Sequence, residues 1–190
     1  MSPVVLAVVG GSWGGIDALG RLVALLEESC TLALAVALHR AANAPEGALV
    51  SYLQARCALP VAEAEDKDVI EPGKVYLAPA DYHLLVEPGR FALSIDAPVL
   101  HSRPSIDVLF QSAADAYAAG AAAVVLSGAN NDGSRGLCRV KSRGGVTLVQ
   151  EPSTAERREM PDAAIATGAV DQVLTLDQIA VVLNEVGRPS

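Results

Sequence analysis

A serine, a histidine and an aspartate each stand where a strand-like stretch runs out: Ser12 after VVLAVVGG, His39 after LALAVAL, and Asp132 in the loop after AAVVLS. A serine hydroxyl is a weak nucleophile until a neighbouring base takes its proton. An imidazole within hydrogen-bond reach can do that and can return the proton to the leaving group. A carboxylate on the second ring nitrogen fixes the tautomer and stabilises the imidazolium. The three side chains together would catalyse acyl transfer, and the order Ser, His, Asp is one that the common hydrolase folds do not use.

Ser12 sits in Gly10-Gly11-Ser12-Trp13-Gly14, which fits G-x-S-x-G between a strand and a helix. Such a turn pushes the hydroxyl out of the sheet. It also aims the backbone N–H of the next residue, Trp13, at a reacting carbonyl oxygen. The same glycines would equally suit a phosphate-binding turn or tight packing. A dinucleotide fingerprint fails, because G-x-G-x-x-G needs glycine where Ser12 or Trp13 stands, and His39 occupies the place of the ribose-binding carboxylate. No Gly-Lys-Ser/Thr follows, so the Walker loop fails too. His39 alone could be a polar strand terminator. Asp132 alone could cap the helix that follows it.

These residues matter only if the elements behind them share one sheet edge. Val4–Val9 and Leu32–Leu38 read as buried strands, and Ile16–Glu28 between them as a helix with apolar residues at helical spacing. A further helix starts near Pro45. Ala122–Ser127 and Val146–Gln150 are buried strands separated by a helix over Ser134–Ser142. Alternation of this kind implies βαβ units and a parallel sheet, whose ligands bind at the carboxyl ends of the strands. Between residues 61 and 95 the rhythm changes to short strands with turns at Pro72–Gly73 and Pro88–Gly89, which suggests an antiparallel hairpin extension. Pro104–Tyr117, with Ser105 as cap, Pro161–Thr167 and Asp177–Val186 are the remaining helices, and Val170–Leu174 a last strand. The expected fold is α/β: a mostly parallel sheet flanked by helices on both faces, with an antiparallel hairpin extension, over one domain spanning 1–190.

Bulk properties remove other classes of function. At 190 residues the chain can bury a substantial core. A net charge of −8 argues against nucleic acid and against anionic lipid. The N-terminal apolar run has no basic flank and is broken by Gly10 and Gly11, so it reads as a strand and not a signal peptide. No stretch reaches the ~20 apolar residues needed to cross a bilayer. Cys30, Cys57 and Cys138 have no metal or disulfide spacing and read as reduced thiols in a cytoplasmic protein.

GGSWGG (10–15), His39, APADYH (78–83), RPSIDVLF (103–110), SGANNDG (127–133) and EMPDAAI (159–165) stand in the order and at separations similar to those of one family. As an ordered set they resemble the catalytic domain of the chemotaxis protein-glutamate methylesterases. The resemblance implies hydrolysis of γ-glutamyl methyl esters on the cytoplasmic helices of chemoreceptors, and in some members deamidation of receptor glutamines. It implies Ser12 as nucleophile, His39 as base, Asp132 as the orienting carboxylate, and the Trp13 and Ala129 amides as oxyanion donors, with no metal or organic cofactor. Trp13 replaces a small hydroxyl residue of the family, Ala129 a methionine and Asn130 a glycine. The segment RAANAPEG after His39 also departs from the pattern. Most members carry a receiver domain ahead of this one, whereas only one strand precedes Ser12. A methylesterase-like module that binds without turnover, and a nucleotide-binding protein, are the competing readings.

Overall fold

The computed structural model describes residues 5–41, 43, 45 and 47–188. Nine strands and six α-helices are present among them: β1 (Leu6–Gly11), α1 (Gly15–Val23), β2 (Ala33–Leu38), α2 (Ala48–Gln54), β3 (Val61–Glu63), β4 (Val75–Leu77), β5 (His83–Glu87), β6 (Arg90–Ser94), α3 (Ile106–Tyr117), β7 (Ala121–Val125), α4 (Ser134–Ser142), β8 (Val146–Gln150), α5 (Glu159–Ala166), β9 (Gln172–Leu174) and α6 (Leu176–Val186). Seven strands form one sheet in the order β3-β4-β2-β1-β7-β8-β9, and every pairing in it is parallel.

β1 and β2 are buried at every position, which is why their sequences are continuous apolar runs without alternation. Each face of the sheet carries its own core. On one face α1 and α6 cover residues such as Val9, Leu34 and Val36. On the other, Phe110 of α3, Leu137 of α4 and Met160 of α5 pack over Val8, Ala35 and Val125. The strand order reverses around β1, where the second strand lies on one side and the seventh on the other. Loops therefore splay apart at its carboxyl end and open a crevice there.

The short strands between residues 61 and 95 divide. Only β5 and β6 form the antiparallel hairpin, as a separate two-stranded sheet against α3. β3 and β4 instead extend the parallel sheet. At three residues each they are too short for periodicity to reveal their direction. α1 also stops earlier than its apolar spacing suggests, at Val23. Val4 and residues 42, 44 and 46 of RAANAPEG lie outside the described residues.

Candidate active site

Strand register brings the chemistry together. Gly11 of β1 is the last residue paired with β2, opposite Leu38, so Ser12 and His39 are the next residue on each of two adjacent parallel strands. The His39 N–H still donates to Gly11 O at 3.1 Å. On the other side of β1, the Leu126 N–H donates to Gly10 O at 2.8 Å and the Ser12 N–H to Ser127 O at 2.9 Å. The loop that holds Asp132 thus leaves β7 directly alongside Ser12.

The glycines before Ser12 supply space and not unusual angles. A Cβ on Gly10 would lie 2.2 Å from Cγ2 of Ile106, the first residue of α3. One on Gly133 would lie 2.7 Å from the same atom. Ile106 is wedged between the two loops, and the N-terminus of α3 is driven into the site. Left-handed backbone is needed at Gly14 (φ 75°) and Gly133 (φ 93°), the residues that cap α1 and α4.

The α3 N-terminus explains Asp132. Its carboxylate is fully buried and accepts from the Ile106 N–H at 2.8 Å, the Asp107 N–H at 2.9 Å, Ser105 Oγ at 3.0 Å and the Gly133 N–H at 3.0 Å. Free N–H groups at a helix start favour an anion, and here the anion is a side chain from another loop. Ser105 does cap α3, as its place in the sequence suggests. Its hydroxyl also donates to Asp132. Asp132 does not cap α4 through its first turn; Gly133 occupies that position.

His39 Nε2 lies 2.8 Å from Asp132 Oδ2. Burial pushes the Asp132 carboxyl up, but hydrogen bonds from His39 and from the Asp107 and Ile106 amides outweigh it, and the net direction is down. The carboxylate is therefore ionised at neutral pH and holds the proton on Nε2. The lone pair of the neutral ring then belongs to Nδ1, which points away from Asp132. Ser102 Oγ lies 3.3 Å from Nδ1 and Asn130 Nδ2 lies 3.4 Å from it. The Ser12 hydroxyl makes no hydrogen bond among the described residues. The His–Asp half of the constellation is thus assembled, and the serine stands beside it by register.

His83 of APADYH is buried and has a supporting role. Its Nδ1 accepts the Ser105 N–H at 3.1 Å and its Nε2 faces Ala97 O at 3.2 Å. Asp107 is buried as well; its Oδ1 accepts the Gly136 N–H at 2.7 Å, and its Oδ2 has no partner. Burial pushes this carboxyl up, and the neighbouring Asp132 charge adds to the shift.

Ser127 staples three loops. Its hydroxyl donates to Trp13 O at 2.8 Å and accepts the Arg157 N–H at 2.9 Å, and its own N–H donates to Gln150 Oε1 at 2.9 Å. Met160 of EMPDAAI packs under Gly128, where a Cβ would meet its methyl carbon at 2.6 Å. Neither the Trp13 N–H nor the Ala129 N–H donates to a described residue. Trp13 stays exposed. It turns toward Glu156 and Arg157 instead of filling the serine turn. Sequence reasoning missed Ser102, Gln150 and Glu156, which lie outside the motifs. Ser127 and Ser105 lay inside them, but their partners did not show.

The CheB methylesterase family model matches residues 7–183. The chain belongs to that family. The crystal structure of the Thermotoga maritima CheB methylesterase catalytic domain superposes with a TM-score of 0.90 at 31% identity, covering 96% of this chain and 98% of that one. A Leptospira interrogans relative, named for protein-glutamate methylesterase and protein-glutamine glutaminase activities, is 41% identical over 174 residues, 91% of this chain and 90% of its own. The protein-glutamate methylesterase FrzG of Myxococcus xanthus is 34% identical over 184 residues, 96% of this chain but 55% of its own length. Among the described residues, no cluster of His, Cys, Asp and Glu could hold a metal ion, and no helix is long and apolar enough to cross a membrane.

Proposed function

We propose that this CheB-family chain, with residues 1–190 forming one catalytic domain, hydrolyses γ-glutamyl methyl esters on the cytoplasmic helices of methylated chemoreceptors and works in the cytoplasm. His39 Nδ1 takes the Ser12 proton as Oγ attacks the ester carbonyl. The Trp13 and Ala129 N–H groups receive the developing oxyanion. Collapse expels methanol, which leaves with the proton from Nδ1, and the glutamyl group remains esterified to Ser12. Water then attacks by the same proton route and releases the γ-carboxylate. With a glutamine side chain the same steps release ammonia, which agrees with the second activity in the name of the Leptospira relative.

The observation that carries this reading is the 2.8 Å contact between His39 Nε2 and a buried, ionised Asp132. It leaves the lone pair on Nδ1, which Ser102 Oγ and Asn130 Nδ2 face, on the strand next to that of a serine on a sharp turn. Methanol release from a methylated receptor fragment tests it. Ser12→Ala should lower the rate by about 10³-fold or more while the unfolding midpoint stays in place. A Ser12→Ala enzyme that keeps its rate ends the proposal. An inert wild-type Ser12, unreactive toward an active-site serine reagent, would point instead to a module that binds without turnover.

A further inference from the structure

Trp13 is the chain's single tryptophan, and it stands one residue past the proposed nucleophile. It is held out from the fold by two contacts. Its Nε1–H donates to Glu156 Oε1 at 2.7 Å, and the Arg157 guanidinium lies 5.1 Å from its ring centre. Both partners sit on the segment that Ser127 ties to the Trp13 carbonyl. A Cβ on Gly14 would meet the Glu156 Cβ at 2.7 Å, so the two loops are interlocked. The residue nevertheless remains 59% exposed.

The indole does not stand alone. Ser12, Trp13, Ile16 and Tyr52 line one open cleft together with Asp17 and Glu156. Ile16 is 42% exposed. An apolar shelf therefore begins at the serine and runs outward along the start of α1. Its polar edge is already satisfied by Glu156, so what it offers a ligand is apolar area. An aromatic ring already fixed in place loses little entropy when it is covered, which is the property of a binding hot spot. A glutamyl ester is too short to reach past the serine and cover that shelf. A polypeptide carrying the ester is not.

We propose that Trp13, with Ile16, is a specificity-determining contact that docks an apolar side chain of the substrate helix, about one turn from the esterified glutamate. Neighbours one turn apart on a helix surface lie about 5–6 Å apart, close enough for one to rest on Trp13 while the other reaches Ser12. Asp17, which also lines the cleft, complements a basic residue flanking that apolar position. The inference rests on the esterase reading above, since it assigns the protein substrate of the same site.

Because no other tryptophan is present, the emission of Trp13 reads the contact directly. A tryptophan-free methylated receptor fragment is added to the Ser12→Ala variant, which binds without turning over. A blue shift with protection from acrylamide quenching is expected. In the wild-type background, Trp13→Ser should raise KM for the fragment by about tenfold, more than it lowers kcat. It should also cut kcat/KM for the fragment at least tenfold further than kcat/KM for a small glutamate γ-methyl ester. Trp13→Phe should recover most of the difference. Methanol release without any change in emission overturns the docking role and leaves the esterase reading standing, as does an equal loss on both substrates. A change in emission without methanol release supports docking and ends the esterase reading. Neither signal ends both.

Discussion

Asp132→Asn separates the carboxylate's two tasks, orienting His39 and binding the start of α3. Oδ1 accepts from Ser105 Oγ and the Asp107 and Gly133 amides, while Oδ2 accepts from His39 Nε2 and the Ile106 amide. An asparagine keeps one acceptor oxygen. Placing that oxygen at the Oδ1 position preserves three donors, so the NH₂ group faces Ile106 N–H and His39. The Ile106 N–H is then buried without a partner, at a cost of about 1–3 kcal/mol. His39 must present a lone pair at Nε2, which moves its proton to Nδ1. Nδ1, the nitrogen proposed to take the Ser12 proton, can then no longer accept one. Loss of the correct tautomer lowers kcat by about 10⁴-fold in a related triad, or about 5.4 kcal/mol at 1.36 kcal/mol per decade.

Methanol release and urea unfolding of the same protein give both numbers. The stability gap should itself depend on pH. The folded-state carboxyl lies below its ordinary value of 3.8, so its contribution is present in full above that value. It is lost as pH falls through the lower folded value. The wild type and Asp132→Asn should therefore differ most at neutral pH and converge in strong acid. A variant that keeps more than about a tenth of the wild-type rate, or a gap that widens in acid, would refute the reasoning.

Two further substitutions probe the support behind the site. Gly10→Ala places a methyl 2.2 Å from Ile106 Cγ2 and should destabilise the fold by about 1–3 kcal/mol. Because Ile106 donates to Asp132, activity at a temperature where the variant is fully folded should fall as well, and normal turnover in a fully folded variant would count against that coupling. Asp107→Asn removes a buried carboxyl whose pKa is raised by burial and by Asp132. The wild-type contribution is complete below the ordinary 3.8 and lost as pH rises through the folded value, so the stability of wild type relative to Asp107→Asn should decline from acid toward neutral pH; a flat difference in urea unfolding across that range would contradict it.

How much of this was legible in the sequence follows the reach of each interaction. Ser12 and His39 were legible because β1 and β2 are unbroken apolar runs, and the first two strands of a βαβ unit pair. The parallel direction of β3 and β4 was not, because three residues carry no periodic signal. Ser105 was legible as a cap, since a cap needs only the next few residues. Its second bond, to Asp132, joins positions 27 residues apart, and the contact between His39 and Asp132 spans 93. No local pattern encodes such distances. The family motifs carry them implicitly. GGSWGG leaves room for Ile106 of RPSIDVLF; that motif offers its amides to Asp132 of SGANNDG; His83 of APADYH holds Ser105; and Met160 of EMPDAAI supports Gly128. Five stretches that look independent along the chain are one hydrogen-bonded and packed body around His39. Trp13 is the exception that follows from the same logic: its side chain contacts Glu156 and Arg157, outside those five stretches, and so lies apart from the body that holds His39 and Asp132.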